Sequence, residues 1–193
     1  GAQLSGGSRA VELGLITHQG TLSLARKMLL GALLVTVLLL YNSFLITGEI
    51  ANAQNALILG VVGGLLGYFY TARPIRLVSR RGLGEIAIFL AFGPILTLGA
   101  LFAISSNTVE LFSTEFYNAI YLGIPFGFLT TNILYINQYP DTVSDATTGK
   151  NHLIVTLGKK NARWGYLLLL SAAFGSSVSV SYTHLRAHET GPY

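Results

Sequence analysis

Five stretches of the chain run for about twenty residues with few polar positions. They are approximately Met28 to Thr47, Gln54 to Ala72, Leu83 to Ile104, Phe116 to Ile136, and Trp164 to about Val180. A helix needs about 20 mostly apolar residues to cross the hydrocarbon core of a bilayer, and none of these stretches has a Lys or Arg in its interior. Inside lipid the backbone can satisfy its own hydrogen bonds only as helix or closed barrel. Strict two-residue alternation is missing, so the pattern predicts an all-α, multi-pass transmembrane helical bundle with about five spans.

The polar segments between the spans alternate in charge. The first carries Arg9, Arg26 and Lys27, the second only Glu49, and the third Arg73, Arg76, Arg80, Arg81 and Glu85. Glu110 and Glu115 are alone in the fourth, and the fifth carries Asp141, Asp145, Lys150, Lys159, Lys160 and Arg163. By the positive-inside rule the first, third and fifth segments face the cytoplasm, and of the 12 basic residues all but Arg186 lie on that side. A missed or false span would scramble this alternation. The expected setting is a bacterial inner membrane.

Composition agrees with the pattern. Only 10% of the 193 residues are charged, against roughly 25% in soluble domains. The hydrophobic share is 51% and the mean hydropathy is +0.57. A disordered chain, a nucleic-acid-binding tail and most soluble enzymes are excluded. Without cysteine there is no disulfide framework, thiolate metal site or cysteine nucleophile. The chain starts at Gly1 without a signal-peptide pattern and reads as a fragment whose N-terminus lies upstream. Ser181 to Tyr193 breaks the apolar pattern abruptly and reads as foreign to the fold; its His184/His188 spacing is not taken as a metal site. Gly60, Gly63, Gly64 and Gly67 have the spacing that lets membrane helices approach closely, so helix packing is expected there rather than a phosphate loop.

The chain has two aspartates, Asp141 and Asp145, directly after the fourth span. On a helix, four-residue spacing puts both on one face, where like charges repel. A structural alternative pairs Asp145 with Lys150 or a neighbouring arginine and leaves Asp141 favouring a helix N-terminus. Pro140 marks an expected break or new helical start. A hard divalent cation would relieve the repulsion, and Mg2+ typically takes one or two carboxylates plus waters and substrate phosphates. Carboxylates among cations at a membrane mouth therefore point to an Mg-bound diphosphate.

At this point the residues resemble a known family. Asn137-x-x-x-Asp141-x-x-x-Asp145-x-x-x-Gly149-Lys150, followed by Leu153 to Gly158, is similar to the second aspartate-rich motif of the UbiA-type membrane prenyltransferases. Tyr70-Thr-Ala-Arg-Pro74-Ile-Arg and Gly82-Leu-Gly84-Glu85, running into Phe92-Gly93-Pro94, resemble the central cytoplasmic loop and the next helix. Gly6-Gly7-Ser8-Arg9 and Gly14-Leu15-Ile16-Thr17 resemble the loop after the first aspartate motif. The branch most resembled is the dihydroxynaphthoate polyprenyltransferases of menaquinone and phylloquinone synthesis. The likeness extends to about Val180.

The resemblance implies a helical bundle, usually of nine spans, of which this chain would supply the third to the seventh. It implies Mg2+-dependent transfer of an isoprenyl group from a prenyl diphosphate to an aromatic acceptor, here 1,4-dihydroxy-2-naphthoate. Asp141 and Asp145 would hold the metal, with Asn137 one turn earlier as a supporting polar contact. Lys150 and Arg9 would contact diphosphate, followed by Arg73 and Arg76. Tyr70 would serve as a hydrogen-bond donor or cation-facing ring. Arg80, Arg81, Lys159 and Lys160 read as topology signals and lipid-headgroup partners. Glu85 reads either as functional or as the partner of a loop arginine, and His18 and His152 have no partner spacing. The first aspartate motif is absent, so this chain alone is expected to be inactive. A transporter would need ionisable residues near mid-span, which the five spans lack, and a CDP-alcohol phosphatidyltransferase would need more aspartates. A non-catalytic membrane subunit is the remaining alternative.

Overall fold

The computed structural model describes residues 13–48 and 50–189, with the backbone alone at 47 and 183–189. Among the described residues all regular structure is helical, and five stretches are long and apolar enough to cross a membrane. This is the number and class of element that the hydrophobic pattern predicts.

The helices are longer than the apolar runs. Helix α1, His18–Thr47, begins ten residues before Met28 because Thr17 caps it, its hydroxyl accepting the Gly20 N–H at 3.0 Å. Arg26 and Lys27 therefore lie inside the helix rather than before it. It stops at Gly48, whose φ of 71° only glycine adopts without strain. Helix α2 covers Ala51–Thr71. The third span is two helices, α3 (Leu83–Phe92) and α4 (Pro94–Ile104), separated at Gly93.

Helix α5, Thr114–Thr147, starts at the Ser113 cap and passes through both Pro125 and Pro140. The expected break at Pro140 is not there. Proline removes one N–H and crowds the carbonyl four residues back, but the helix continues two more turns and carries both aspartates. Helix α6, Leu153–Glu189, begins eleven residues before Trp164 and is interrupted at Gly158, with φ 74° and ψ 149°.

Helix α5 is the centre of the bundle and packs on α3, α4 and α6; α2 packs on α4, and α1 lies along α2. Two apolar cores sit at opposite ends of it. Leu98, Phe102 and Ala119 form one, and Tyr135, Ile154 and Ala162 form the other beneath the aspartates, where the Tyr135 hydroxyl donates to the Ala162 carbonyl at 3.0 Å. Helix α1 exposes Leu30, Leu34, Val37 and Leu38 among many others. In water that surface would be a large unfavourable patch, whereas in a bilayer it is ordinary lipid-facing surface.

Close approach of helices does occur through glycine, but not where the sequence pattern places it. A Cβ at Gly60, Gly64 or Gly67 would meet nothing within 4 Å, and one at Gly63 only the Ile95 side chain at 3.7 Å. The tight crossing is at Gly93, Gly123 and Gly127, where α5 meets the α3–α4 junction.

At the end bearing the Leu98 core, buried Asn52 ties α2 to the loop before α5. Its amide donates to the Asn107 carbonyl at 2.8 Å and accepts the Val109 N–H at 2.9 Å. Replacing Asn52 by Ala leaves two backbone groups without this partner, and a loss of about 1–2 kcal/mol is expected. Thermal unfolding of the purified protein in detergent measures it. An unchanged midpoint would show that the tie is not stabilising.

Candidate active site

The opposite end gathers the basic loops. The chain from 72 to 82 winds through one 3₁₀ turn, Leu77–Ser79. It is held in part by Arg80, whose Nε donates to the Ile75 carbonyl at 2.6 Å. Arg80 thus braces its own loop, a structural role beside the one the sequence suggests. This loop meets the segment between α5 and α6, where the Asn151 N–H reaches the Ser79 carbonyl at 3.4 Å.

The end of α5 shows why Asp145, Gly149 and Lys150 stand at their spacing. Gly149 takes φ 74°. Its N–H bonds the Ala146 carbonyl at 3.3 Å, and the Lys150 N–H bonds the Asp145 carbonyl at 3.0 Å, the paired bonds of a Schellman helix ending. That turn folds Lys150 back over the last helical turn, where its Nζ lies 2.8 Å from Asp145 Oδ1. The ion pair is the one the structural alternative names. The Asp145 side chain is 12% exposed and that of Lys150 36%, so the lysine also faces outward.

Two residues to which sequence reasoning gave no such place complete the cluster. His152, 1% exposed, has its Nε2 3.3 Å from Asp145 Oδ2. Buried Glu85 does not pair with a loop arginine. Its Oε1 accepts the Leu153 N–H at 3.2 Å, a carboxylate at the start of α6 where the helix dipole favours negative charge. Tyr70 lies half-buried at the end of α2 with its ring edge over Gly84, within electrostatic reach of Glu85 and Asp145.

The structure therefore brings together Asp145, Lys150 and Tyr70 of the sequence-predicted residues, and adds His152 and Glu85. Asp141 lies one turn before Asp145 on the uninterrupted helix, half-buried, with no ion pair or hydrogen bond among the described residues. Asn137, another turn back, is exposed, as is Arg73, and Arg76 is half-buried at φ 45°. None of these three side chains has a partner among the described residues. Arg9 lies outside the described residues. A Gly–Lys turn with a histidine two residues on, directly before an apolar helix, is the only local signal that could have pointed to His152.

Among the described residues no three His, Cys, Asp or Glu side chains gather as a metal cluster. What the site offers is two hard carboxylates one turn apart, the first open and the second buried, with a lysine and two loop arginines at the same end of the bundle. Such a set suits a cation that keeps most of its positions for water and phosphate oxygens.

The chain is 28% identical over 161 residues to the 1,4-dihydroxy-2-naphthoate octaprenyltransferase of Haemophilus influenzae, covering 79% of this chain and 50% of that one. It is 28% identical over 179 residues to the protein of the same name from Escherichia coli, covering 92% and 53%. UbiA prenyltransferase domain-containing protein 1 of Dictyostelium discoideum is 32% identical over 123 residues, 63% of this chain and 34% of that protein. The chain thus spans about half or less of the length of these relatives, two of which carry the name of the branch that the motifs resemble. No solved structure matches significantly. The model of the UbiA prenyltransferase family matches residues 17–188, and with five membrane-crossing helices and the aspartate site at one end of α5, this chain belongs to that family of integral membrane proteins.

Proposed function

We propose that the protein containing this chain transfers an isoprenyl group from a prenyl diphosphate to an aromatic acceptor in quinone biosynthesis, and that the acceptor is 1,4-dihydroxy-2-naphthoate. The observation that carries this is the carboxylate pair on α5: Asp145 buried between Lys150 and His152, and Asp141 one turn away without a side-chain partner among the described residues. The acceptor follows from the names of the Haemophilus and Escherichia relatives.

Asp141 and Asp145 would hold Mg2+, whose contribution when bound is to stabilise the negative charge left on diphosphate as the C–O bond breaks. Lys150, Arg73, Arg76 and Arg9 contribute fixed positive charge for the phosphate oxygens, which counts most in a site shielded from water. Lys150 is suited to this because its ammonium is only partly covered by Asp145. Asn137 adds a polar contact one turn below Asp141. Tyr70 turns an aromatic ring toward the same end, where its face can stabilise the allylic cation. The apolar interior accepts the prenyl chain and keeps water from that cation. The basic loops face the cytoplasm of a bacterial cell in this reading.

The test is prenyl transfer by the full-length protein in detergent or nanodiscs. Turnover with 1,4-dihydroxy-2-naphthoate is expected to stop with a chelator and to return with Mg2+; turnover that persists in the chelator would remove the metal from the mechanism. The isolated 193-residue chain is expected to be inert in the same assay, because the resemblance calls for a first aspartate motif, which these residues do not contain, beside the Asp141/Asp145 motif. Robust turnover by the chain alone would contradict the two-motif site.

A further inference from the structure

Asp145 is approached on both carboxylate oxygens, and the function above uses only the lysine side. The other oxygen, Oδ2, faces His152 Nε2 at 3.3 Å. This imidazole is fully enclosed, and neither of its nitrogens has a hydrogen-bond partner among the described residues. A buried polar ring without partners is costly, so it is a poor filler for a space that an apolar side chain could occupy. Its position is dictated by the fold. The Asn151 N–H is tied to the Ser79 carbonyl, the Leu153 N–H to Glu85, and Ile154 is fully buried in the core below. The backbone is thus pinned on both sides of the histidine, and the ring has little choice but to face the carboxylate.

We propose that His152 is a positioning residue for Asp145. Its Nε2 lies within reach of Oδ2 from the start of α6, so that a small turn of the ring completes the bond, while Lys150 holds Oδ1 from the turn; the two donors together then fix the plane of the carboxylate. Lys150 is partly solvated, so it can leave Asp145 for a phosphate oxygen. His152 cannot leave, and it keeps the carboxylate aimed when the lysine moves. The inference rests on the reading of Asp145 as a metal ligand. Partners that orient a ligand in this way typically change metal affinity by about 10–100-fold when removed.

The experiment uses full-length protein carrying His152→Leu, which removes the donor, and His152→Gln, which keeps an N–H near the Nε2 position. The Mg2+ concentration giving half-maximal prenyl transfer should rise about 10–100-fold in His152→Leu, with turnover at saturating Mg2+ little changed, and His152→Gln should restore most of the loss. A general packing defect would not show this split or this rescue. Independently of metal, 15N-histidine NMR of the Mg2+-free protein should show the His152 Nε2 resonance shift on Asp145→Asn; with four histidines in the chain, His152→Gln assigns it. A wild-type Mg2+ dependence in His152→Leu, or no NMR shift, overturns the proposal. If His152→Leu does not fold, a rise of about 10–100-fold in the Mg2+ requirement of His152→Gln, or no NMR shift, does the same. Mg2+ dependence that survives Asp145→Ala would instead sink the metal reading, and the NMR contact would stand apart from it.

Discussion

Asp145→Ala and Asp141→Ala in the full-length protein are each expected to lower Mg2+-dependent prenyl transfer by at least about 10²–10³-fold, the scale on which removal of one fixed electrostatic stabiliser lowers turnover. Their effects on stability should differ. Asp145 is the counter-charge of Lys150 and the neighbour of buried His152, so its truncation leaves a cation and an enclosed imidazole facing a void. Removing one partner from a fully buried pair costs about 3–5 kcal/mol. Lys150 reaches solvent, so a loss of about 1–2 kcal/mol is expected instead. Asp141 has no such partner among the described residues, and its removal relieves a like-charge neighbour; stability should be unchanged or slightly raised. Product formation followed by chromatography, together with thermal unfolding of each variant, separates the two effects. Activity of Asp141→Ala within about tenfold of wild type would remove that residue from the metal site, whatever Asp145 does.

The contrast between those aspartates shows what the sequence could and could not reveal. Crossing a bilayer imposes a long apolar run, so the number of spans and the end that collects the basic loops were both legible. Helix boundaries were not, because an apolar run measures lipid depth rather than helix length. Helix α1 reaches back to the Thr17 cap, α5 runs past Pro140, and α6 starts at Leu153. The aspartate pair was legible as a local four-residue spacing, and the Asp145–Lys150 pair follows from a local turn. Glu85 and His152 were not, since each acquires its role only when the loop ending at Gly82 meets the segment after α5. Glu85 and Leu153 are 68 positions apart, and no local pattern encodes that meeting. The glycines failed for a related reason: spacing on one helix identifies a smooth face but not which helix, if any, lies against it.

That failure leads to the largest stability effect expected in the bundle. At Gly123 an added Cβ would lie 2.7 Å from the Gly93 carbonyl carbon and the Pro94 nitrogen; at Gly127 it would lie 2.7 Å from the Phe89 carbonyl oxygen. These neighbours are backbone, which cannot turn aside as a side-chain tip does. Either α5 must move away from the α3–α4 junction or the junction must unwind. Both displace the helix that carries Asp141 and Asp145 and loosen the packing of Phe89 against Phe128, whose ring centroids are 4.7 Å apart. Overpacking typically costs about 1–3 kcal/mol, and because the clash is backbone on backbone, Gly123→Ala and Gly127→Ala are expected at the upper end, with Gly123→Val preventing assembly. Gly60→Ala and Gly64→Ala place their Cβ atoms in open space within this chain, and alanine is favoured over glycine in a helix by about 1 kcal/mol. They should leave the unfolding midpoint unchanged or raise it. Fluorescence-detected size exclusion after a heat step ranks the four alanine variants directly. Loss of the folded peak in Gly60→Ala or Gly64→Ala, with Gly123→Ala unaffected, would mean that α2 rather than the α3–α4 junction makes the intimate helix contact.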